Sequence, residues 1–115
     1  MQQSIDIRLT VAHAKESWAQ QESPFIELLR HGSLTVEFYQ PRLVDKQQPH
    51  SRDEIYVVVS GTGEFINGTC RQRFEPGEVL FVPAGVEYRF ENFSEDFATW
   101  VFFYGPKGGE APSGP

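Results

Sequence analysis

The chain has only one cysteine, Cys70, and one methionine, Met1, among its 115 residues. A single cysteine excludes a disulfide within the chain, and this suits a reducing compartment. No apolar run approaches the roughly 20 residues that a transmembrane helix needs. The first residues, Met1-Gln2-Gln3-Ser4, lack the basic and apolar regions of a signal peptide. These absences predict a soluble cytoplasmic protein.

Basic residues are also few. Lys and Arg total 10 against 16 Asp and Glu, which gives a net charge of −6. Nucleic acids and anionic membranes attract basic surfaces, so neither is expected as a partner. Aromatic residues are plentiful at 14%, including ten Phe, and 115 residues suffice for one domain with its own core.

Turn residues punctuate a series of short apolar segments. Leu34, Val36 and Phe38 alternate with polar residues, as in a strand with one buried face. The β-branched run Glu54–Ser60 favours a strand buried on both faces. Asn67-Gly68 is a strong hairpin signal. The predicted strands are Phe25–Arg30, Ser33–Gln40, Glu54–Ser60, Gly63–Ile66, Cys70–Phe74, Val79–Val82, Glu87–Glu91 and Phe97–Tyr104.

This pattern predicts an all-β fold, an antiparallel barrel or jelly roll with a short N-terminal helix. Residues 1–24 form an N-terminal extension whose helix covers about Val11 to Gln21. Residues 25–104 form the barrel. The tail, residues 105–115, is rich in Gly and Pro, so we expect it to be flexible.

Two segments resemble the sequence motifs of the cupin superfamily. In the first, Glu54 and Gly61 match at the family spacing, and His50 takes the place of the second histidine. Gln48 stands where the first histidine would be, and Arg42 replaces the leading glycine. In the second, Tyr88 stands in place of the last histidine, and the matching residues are Gly77, Pro83, Gly85 and Asn92. The resemblance implies a double-stranded β-helix barrel and a homodimer.

The resemblance also implies a divalent metal site inside the barrel, with Gln48, His50, Glu54 and Tyr88 as the ligand set. Imidazole and carboxylate suit Fe, Mn, Ni or Zn. A Gln oxygen is a weaker donor, and a Tyr oxygen binds well only when deprotonated, from a usual pKa of about 10. In this hypothesis the protein is a metal-dependent enzyme such as a dioxygenase or isomerase, acting on a small organic substrate, and Tyr88 is a candidate general acid.

The same four residues fit a second hypothesis. Buried polar side chains can satisfy one another without metal, with His50 bonded to Glu54 or Tyr88 and Gln48 completing the network. Arg52 or Arg89 could pair with Glu54. The protein is then a metal-free or degenerate cupin that binds a small molecule as a sensor or accessory factor. A third hypothesis is a purely interacting subunit, and the sequence leaves all three open.

Strand parity adds expectations about the cavity and the outer surface. Ile55, Val57 and Val59 have the parity opposite to Glu54 and are predicted to pack against a helix, a second sheet or a sister chain. The candidates for the cavity wall are Tyr56, Val58, Phe81, Phe90, Asn92, Trp100 and Phe102.

Overall fold

Two antiparallel sheets face each other in the computed structural model of the protein, which describes residues 8–45 and 47–111. The larger sheet has the strand order β1-β2-β8-β3-β6 and the smaller one β5-β4-β7. This arrangement confirms the predicted antiparallel jelly-roll barrel with a short N-terminal helix. The elements are α1 (Val11–Ala19), β1 (Phe25–His31), β2 (Leu34–Tyr39), β3 (Asp53–Ser60), β4 (Gly63–Asn67), β5 (Cys70–Phe74), β6 (Val79–Val82), β7 (Tyr88–Glu91) and β8 (Ala98–Tyr104).

The predicted strands are all present, with ends that shift by at most one residue. The β4–β5 hairpin shows why local signals sufficed. Asn67 pairs with Cys70, and Gly68 lies between them at φ +64°, a conformation that costs glycine little. The segment 1–7, which includes the start of the predicted N-terminal extension, lies outside the described residues.

Helix α1 covers the outer face of the larger sheet. Thr10 caps it by accepting a hydrogen bond from the backbone N–H of His13 at 3.2 Å. The helix ends at Ala19, and the indole of Trp18 donates to the carbonyl of Pro24 at 2.9 Å. Ala14 and Phe38 are completely buried between helix and sheet. The short helix is therefore held by packing rather than by its own length.

Aromatic side chains fill most of the space between the two sheets. The residues of this core are Tyr39, Tyr56, Val58, Phe65, Phe74, Val82, Tyr88, Phe90, Phe97, Val101 and Phe103. Phe90 lies at its centre, with ring centroids 4.8 Å from Phe97 and 5.0 Å from Tyr56. The space around Phe90 is thus packed solid and leaves no room for a ligand.

Several residues that were predicted to line the cavity lie elsewhere in the structure. Tyr56, Val58 and Phe90 face the interior, but they belong to the packed core. Trp100 packs on the helix side of the sheet. Phe102 lies between the inward-facing Val101 and Phe103 on β8, so strand parity turns it outward as well. Asn92 is exposed and donates to Glu64 at 2.6 Å, and Phe81 is 47% exposed.

Strand β3 is fully buried on one face only, unlike the two-sided burial predicted for it. Glu54, Tyr56 and Val58 are buried, whereas Ile55 and Val57 are half-buried on the outer face. Val59 joins the cluster under α1, which is one of the packing partners expected for that face.

The tail is hydrogen-bonded to the barrel as far as the structure describes it. The backbone N–H of Gly108 donates to the carbonyl of Ser51 at 2.6 Å, and that of Glu110 to Asp53 Oδ2 at 2.8 Å. Residues 105–111 thus lie against the start of β3, and the flexibility predicted for the tail stays a prediction. Residues 112–115 of that segment lie outside the described residues.

Among the described residues, no helix is long and apolar enough to span a membrane.

Candidate functional site

The connection between β2 and β3, residues 40–52, carries the first half of the site. Asp45 holds this loop in place. Its side chain is buried, and both of its carboxylate oxygens accept hydrogen bonds. Its Oδ1 accepts from the Tyr39 hydroxyl at 2.5 Å and from the backbone N–H of Gln47 at 3.2 Å. Its Oδ2 accepts from the backbone N–H of Phe90 at 2.8 Å. Asp45 thereby ties the loop to β2 and β7 and directs Gln47 toward the barrel interior.

Gln47 accepts hydrogen bonds from two buried tyrosines. The hydroxyls of Tyr88 and Tyr56 donate to its Oε1 at 2.8 and 3.0 Å. The two hydroxyl oxygens are themselves 2.9 Å apart. Three elements, the loop, β3 and β7, therefore meet at one amide oxygen.

His50, Glu54 and Tyr88 meet beside this point. Nδ1 of His50 lies 2.8 Å from the Tyr88 hydroxyl and 3.3 Å from Oε1 of Glu54. Nδ1 of His50 is thus engaged within the protein, between the carboxylate of Glu54 and the hydroxyl of Tyr88, and the Nε2 edge of the ring is left for other contacts.

The imidazole of His50 and the phenol of Tyr88 both favour their protonated forms. The hydrogen bond to Glu54 raises the pKa of His50, against an opposing effect of burial. Burial raises the pKa of the Tyr88 phenol far above its usual value, and the charge of Glu54 adds to this. The phenol of Tyr88 is therefore neutral at physiological pH.

The structure brings together His50, Glu54 and Tyr88 of the predicted site, but not Gln48. The side chain of Gln48 is exposed, and Gln47 occupies the corresponding place in the cluster. The parity argument assumed an extended segment through residue 54, whereas the loop has no regular strand period and its direction is set by Asp45. Gln47 is half-buried and carried no signal in the sequence, because the family spacing of two residues before His50 selects Gln48.

Neither Arg52 nor Arg89 pairs with Glu54, although either was expected to do so. Arg52 donates to the carbonyl of Ser33 and, at 3.3 Å, to the hydroxyl of Thr35, rather than to Glu54. Arg89 forms an ion pair with Glu91 on the surface. The buried Glu54 thus has the imidazole of His50 as its hydrogen-bonding partner, and its Oε2 bonds to none of the described residues.

The donor set does not fit a divalent metal. In residues 8–45 and 47–111 no three His, Cys, Asp or Glu side chains are placed to hold one. The cluster offers one imidazole, whose Nδ1 is bonded within the protein, one carboxylate, a glutamine and a tyrosine. Because the pKa of Tyr88 is raised, its phenolate is disfavoured as a ligand.

An open cleft of about 380 Å³ lies at the unfilled end of the barrel, beyond His50. The His50 side chain is 34% exposed there. Since Nδ1 faces the buried cluster, the ring edge with Nε2 is directed toward the cleft. Tyr88, the predicted general acid, is buried behind His50 and does not line it. The lining residues are Phe25, Glu37, His50, Ser51, Arg52 and Phe103.

Glu37 is a cleft residue that the sequence analysis did not identify. It shares the inward face of β2 with Thr35 and Tyr39, and burial raises the pKa of its carboxyl. The alternation on β2 contained the signal, since Thr35, Glu37 and Tyr39 form its polar face. In a barrel with a ligand cleft, this polar face points inward at the open end.

Comparison with known proteins gives the family. The sequence model of the family described as "Cupin domain" matches residues 35–104. An uncharacterized protein of Streptomyces coelicolor is 34% identical over 91 residues, which cover 77% of this chain and 87% of the relative.

Two solved structures share the fold. A cupin 2 conserved barrel domain protein from Salinispora arenicola has a TM-score of 0.66 at 15% identity, over 90% of this chain and 91% of that chain. A protein of unknown function from Rhizobium leguminosarum has a TM-score of 0.68 at 18% identity, over 90% of this chain and 98% of that chain. At these identities the similarity shows the fold alone.

Proposed function

The chain belongs to the cupin family, and we propose that it is a metal-free member that binds a small organic molecule in the cleft beside His50. One observation carries the proposal. The imidazole that stands in the first motif uses Nδ1 to bond Glu54 and Tyr88 and presents its other edge to the cleft. Such a histidine is oriented to meet a ligand as a hydrogen-bonding group.

The cleft has the composition of a small-ligand site. Its volume, about 380 Å³, lies in the lower part of the range for such pockets. Two phenylalanines supply apolar surface, and a few polar groups converge from Glu37, His50 and Arg52. The packed aromatic core beneath makes the floor rigid, so the site is preformed and a ligand loses less free energy in ordering it.

Metal content and ligand binding test the proposal together. Protein purified without a histidine tag is assayed for bound metal, before and after soaking with Fe, Mn, Ni or Zn. A mixed panel of small acids, amides, alcohols and amines is then screened by NMR. We expect no stoichiometric metal, and resonance shifts at His50, Ser51 and Phe103 that survive a chelator.

Two variants make the result specific. His50→Ala should abolish the shifts, whereas His31→Ala, at the exposed last residue of β1, should preserve them. Near-stoichiometric metal that is lost in His50→Ala would support a metal-dependent enzyme instead. A panel without any ligand for the cleft would overturn the binding proposal.

The homodimer and the cytoplasmic location remain predictions. Val79 and Phe81 support the first, because they are 65% and 47% exposed on β6, the edge strand of the larger sheet. Light scattering of the purified protein, with Phe81→Ser as the variant, measures the association.

A further inference from the structure

Resting on the proposed function, we infer that the cleft is selective for small organic carboxylates, with Arg52 as the anchor of the charged group and an apolar ligand body between Phe25 and Phe103. The lining residues bring one guanidinium, one imidazole and two phenyl rings around the same space. The arrangement matches a molecule with a negative head and a flat or flexible hydrocarbon part.

Arg52 supplies a positive charge to the cleft. Its guanidinium donates to two neutral acceptors, the carbonyl of Ser33 and the hydroxyl of Thr35. The ion pairs among the described residues involve Arg30, Arg71, Arg89 and His50, and none of them includes Arg52. A half-buried guanidinium that is oriented by neutral groups keeps its charge for an anion, and planar carboxylates suit its geometry.

Two carboxylates at or near the cleft oppose the binding of an anion. Glu37 and Glu54 both act on the cleft, so a cationic ligand must be considered. Glu54 has no exposed surface and is screened by His50, to which it is bonded. Glu37 lines the cleft, and its raised pKa reflects a desolvated carboxyl with Glu27 nearby. Glu37 therefore weakens the attraction of an anion, whereas the Arg52 guanidinium, which lines the same cleft, favours one.

Two phenyl rings, those of Phe25 and Phe103, provide the apolar surface for the body of the ligand. Phe25 is fixed by stacking on Tyr39, with a centroid distance of 4.2 Å. Phe103 packs edge-on against His50 at 4.9 Å, and Arg52 lies 5.9 Å above its ring. The rings are thus held in place before a ligand arrives, and Phe103 adjoins both the His50 imidazole and the Arg52 guanidinium. A carboxylate at Arg52 would place its hydrocarbon part against these rings.

Matched pairs of probes test the inference. Benzoate is compared with benzamide, and hexanoate with hexanamide, by NMR titration at the cleft residues. Each pair differs in charge and hardly in shape. We expect each acid to bind at least about tenfold more tightly than its amide, as for a hydrogen bond to a charged group. Arg52→Gln should remove this preference. Arg89→Gln, which changes a surface arginine paired with Glu91, should retain it.

Glu37→Gln gives a second readout that does not require any change at Arg52, whose bonds to Ser33 and Thr35 also hold the fold. This substitution removes the opposing charge and should tighten binding of both acids severalfold. Equal binding of acids and amides, unchanged in Arg52→Gln, would overturn the carboxylate inference while leaving a small-molecule site. Weaker acid binding in Glu37→Gln would overturn it too, and a panel that fails at the cleft altogether would overturn the proposed function.

Discussion

Nδ1 of His50 lies 3.3 Å from Oε1 of Glu54, and the Glu54 side chain has no exposed surface. A buried carboxylate is costly unless it is paired, so this contact couples the protonation of His50 to the stability of the barrel. It also fixes which nitrogen of the ring meets a ligand. The two roles of His50 can be separated by experiment.

The pH dependence of stability tests the pairing. The pKa of His50 is higher in the folded than in the unfolded state, chiefly because of the hydrogen bond to Glu54. The stabilisation is therefore fully present below the unfolded pKa near about 6.5 and is lost as pH rises through the folded pKa. In urea titrations from about pH 6 to about pH 9, wild type should lose stability more steeply than His50→Asn. His31→Asn is the control, and equal slopes in all three proteins would refute the coupling.

Neighbouring glutamines give a prediction about the site itself. Gln47 accepts from two buried tyrosines, whereas Gln48 is exposed. Gln47→Ala removes an acceptor shared by two buried hydroxyls and should lower the free energy of unfolding by about 1 to 3 kcal/mol. Gln48→Ala should change it by less than about 0.5 kcal/mol. Urea unfolding measures both, and the opposite order would show that Gln48 belongs to the cluster.

Asp45 should stabilise the loop more than a typical loop residue. Asp45→Ala removes the acceptor of the Tyr39 hydroxyl and of the backbone N–H of Phe90. Because both donors are buried, we expect a loss of about 3 kcal/mol, and a smaller loss in Asp45→Asn, which keeps one oxygen. The exposed Glu78, replaced by Ala, is the control. A loss in Asp45→Ala no larger than in Glu78→Ala would mean that the loop does not depend on this anchor.

Two glycines with similar backbone angles should respond differently to alanine. Gly61 and Gly77 have φ values of +83° and +89°. A Cβ at Gly61 would lie 2.5 Å from Cα of Phe97, whereas at Gly77 it would meet nothing within 4 Å. Gly77→Ala should cost about 1 to 2 kcal/mol from backbone strain alone. Gly61→Ala should cost about 3 kcal/mol or more, because backbone atoms must move. Thermal unfolding compares them, and equal losses would contradict the packing at Gly61.

Local pattern predicted the strands because their determinants are local. Alternation on β2, the β-branched run of β3 and the Asn67-Gly68 turn each act within a few residues, so strand ends shifted by at most one position. The helix was predicted too, although its C-terminal end at Ala19 depends on contacts with the sheet. Composition gave no sign that the backbone of the tail finds acceptors on Ser51 and Asp53.

By itself the sequence determined the strands, their order along the chain, and the presence of His50 and Glu54 in one motif and of Tyr88 in a second. Only the tertiary structure decided that Gln47 rather than Gln48 joins them, and that Trp100 and Phe102 face outward. It alone placed Glu37 and Arg52 on one cleft. The reason is physical. A strand has a fixed period of two, but a loop takes its direction from long-range bonds, such as those of Asp45 to Tyr39 and Phe90, which exist only once the barrel has closed.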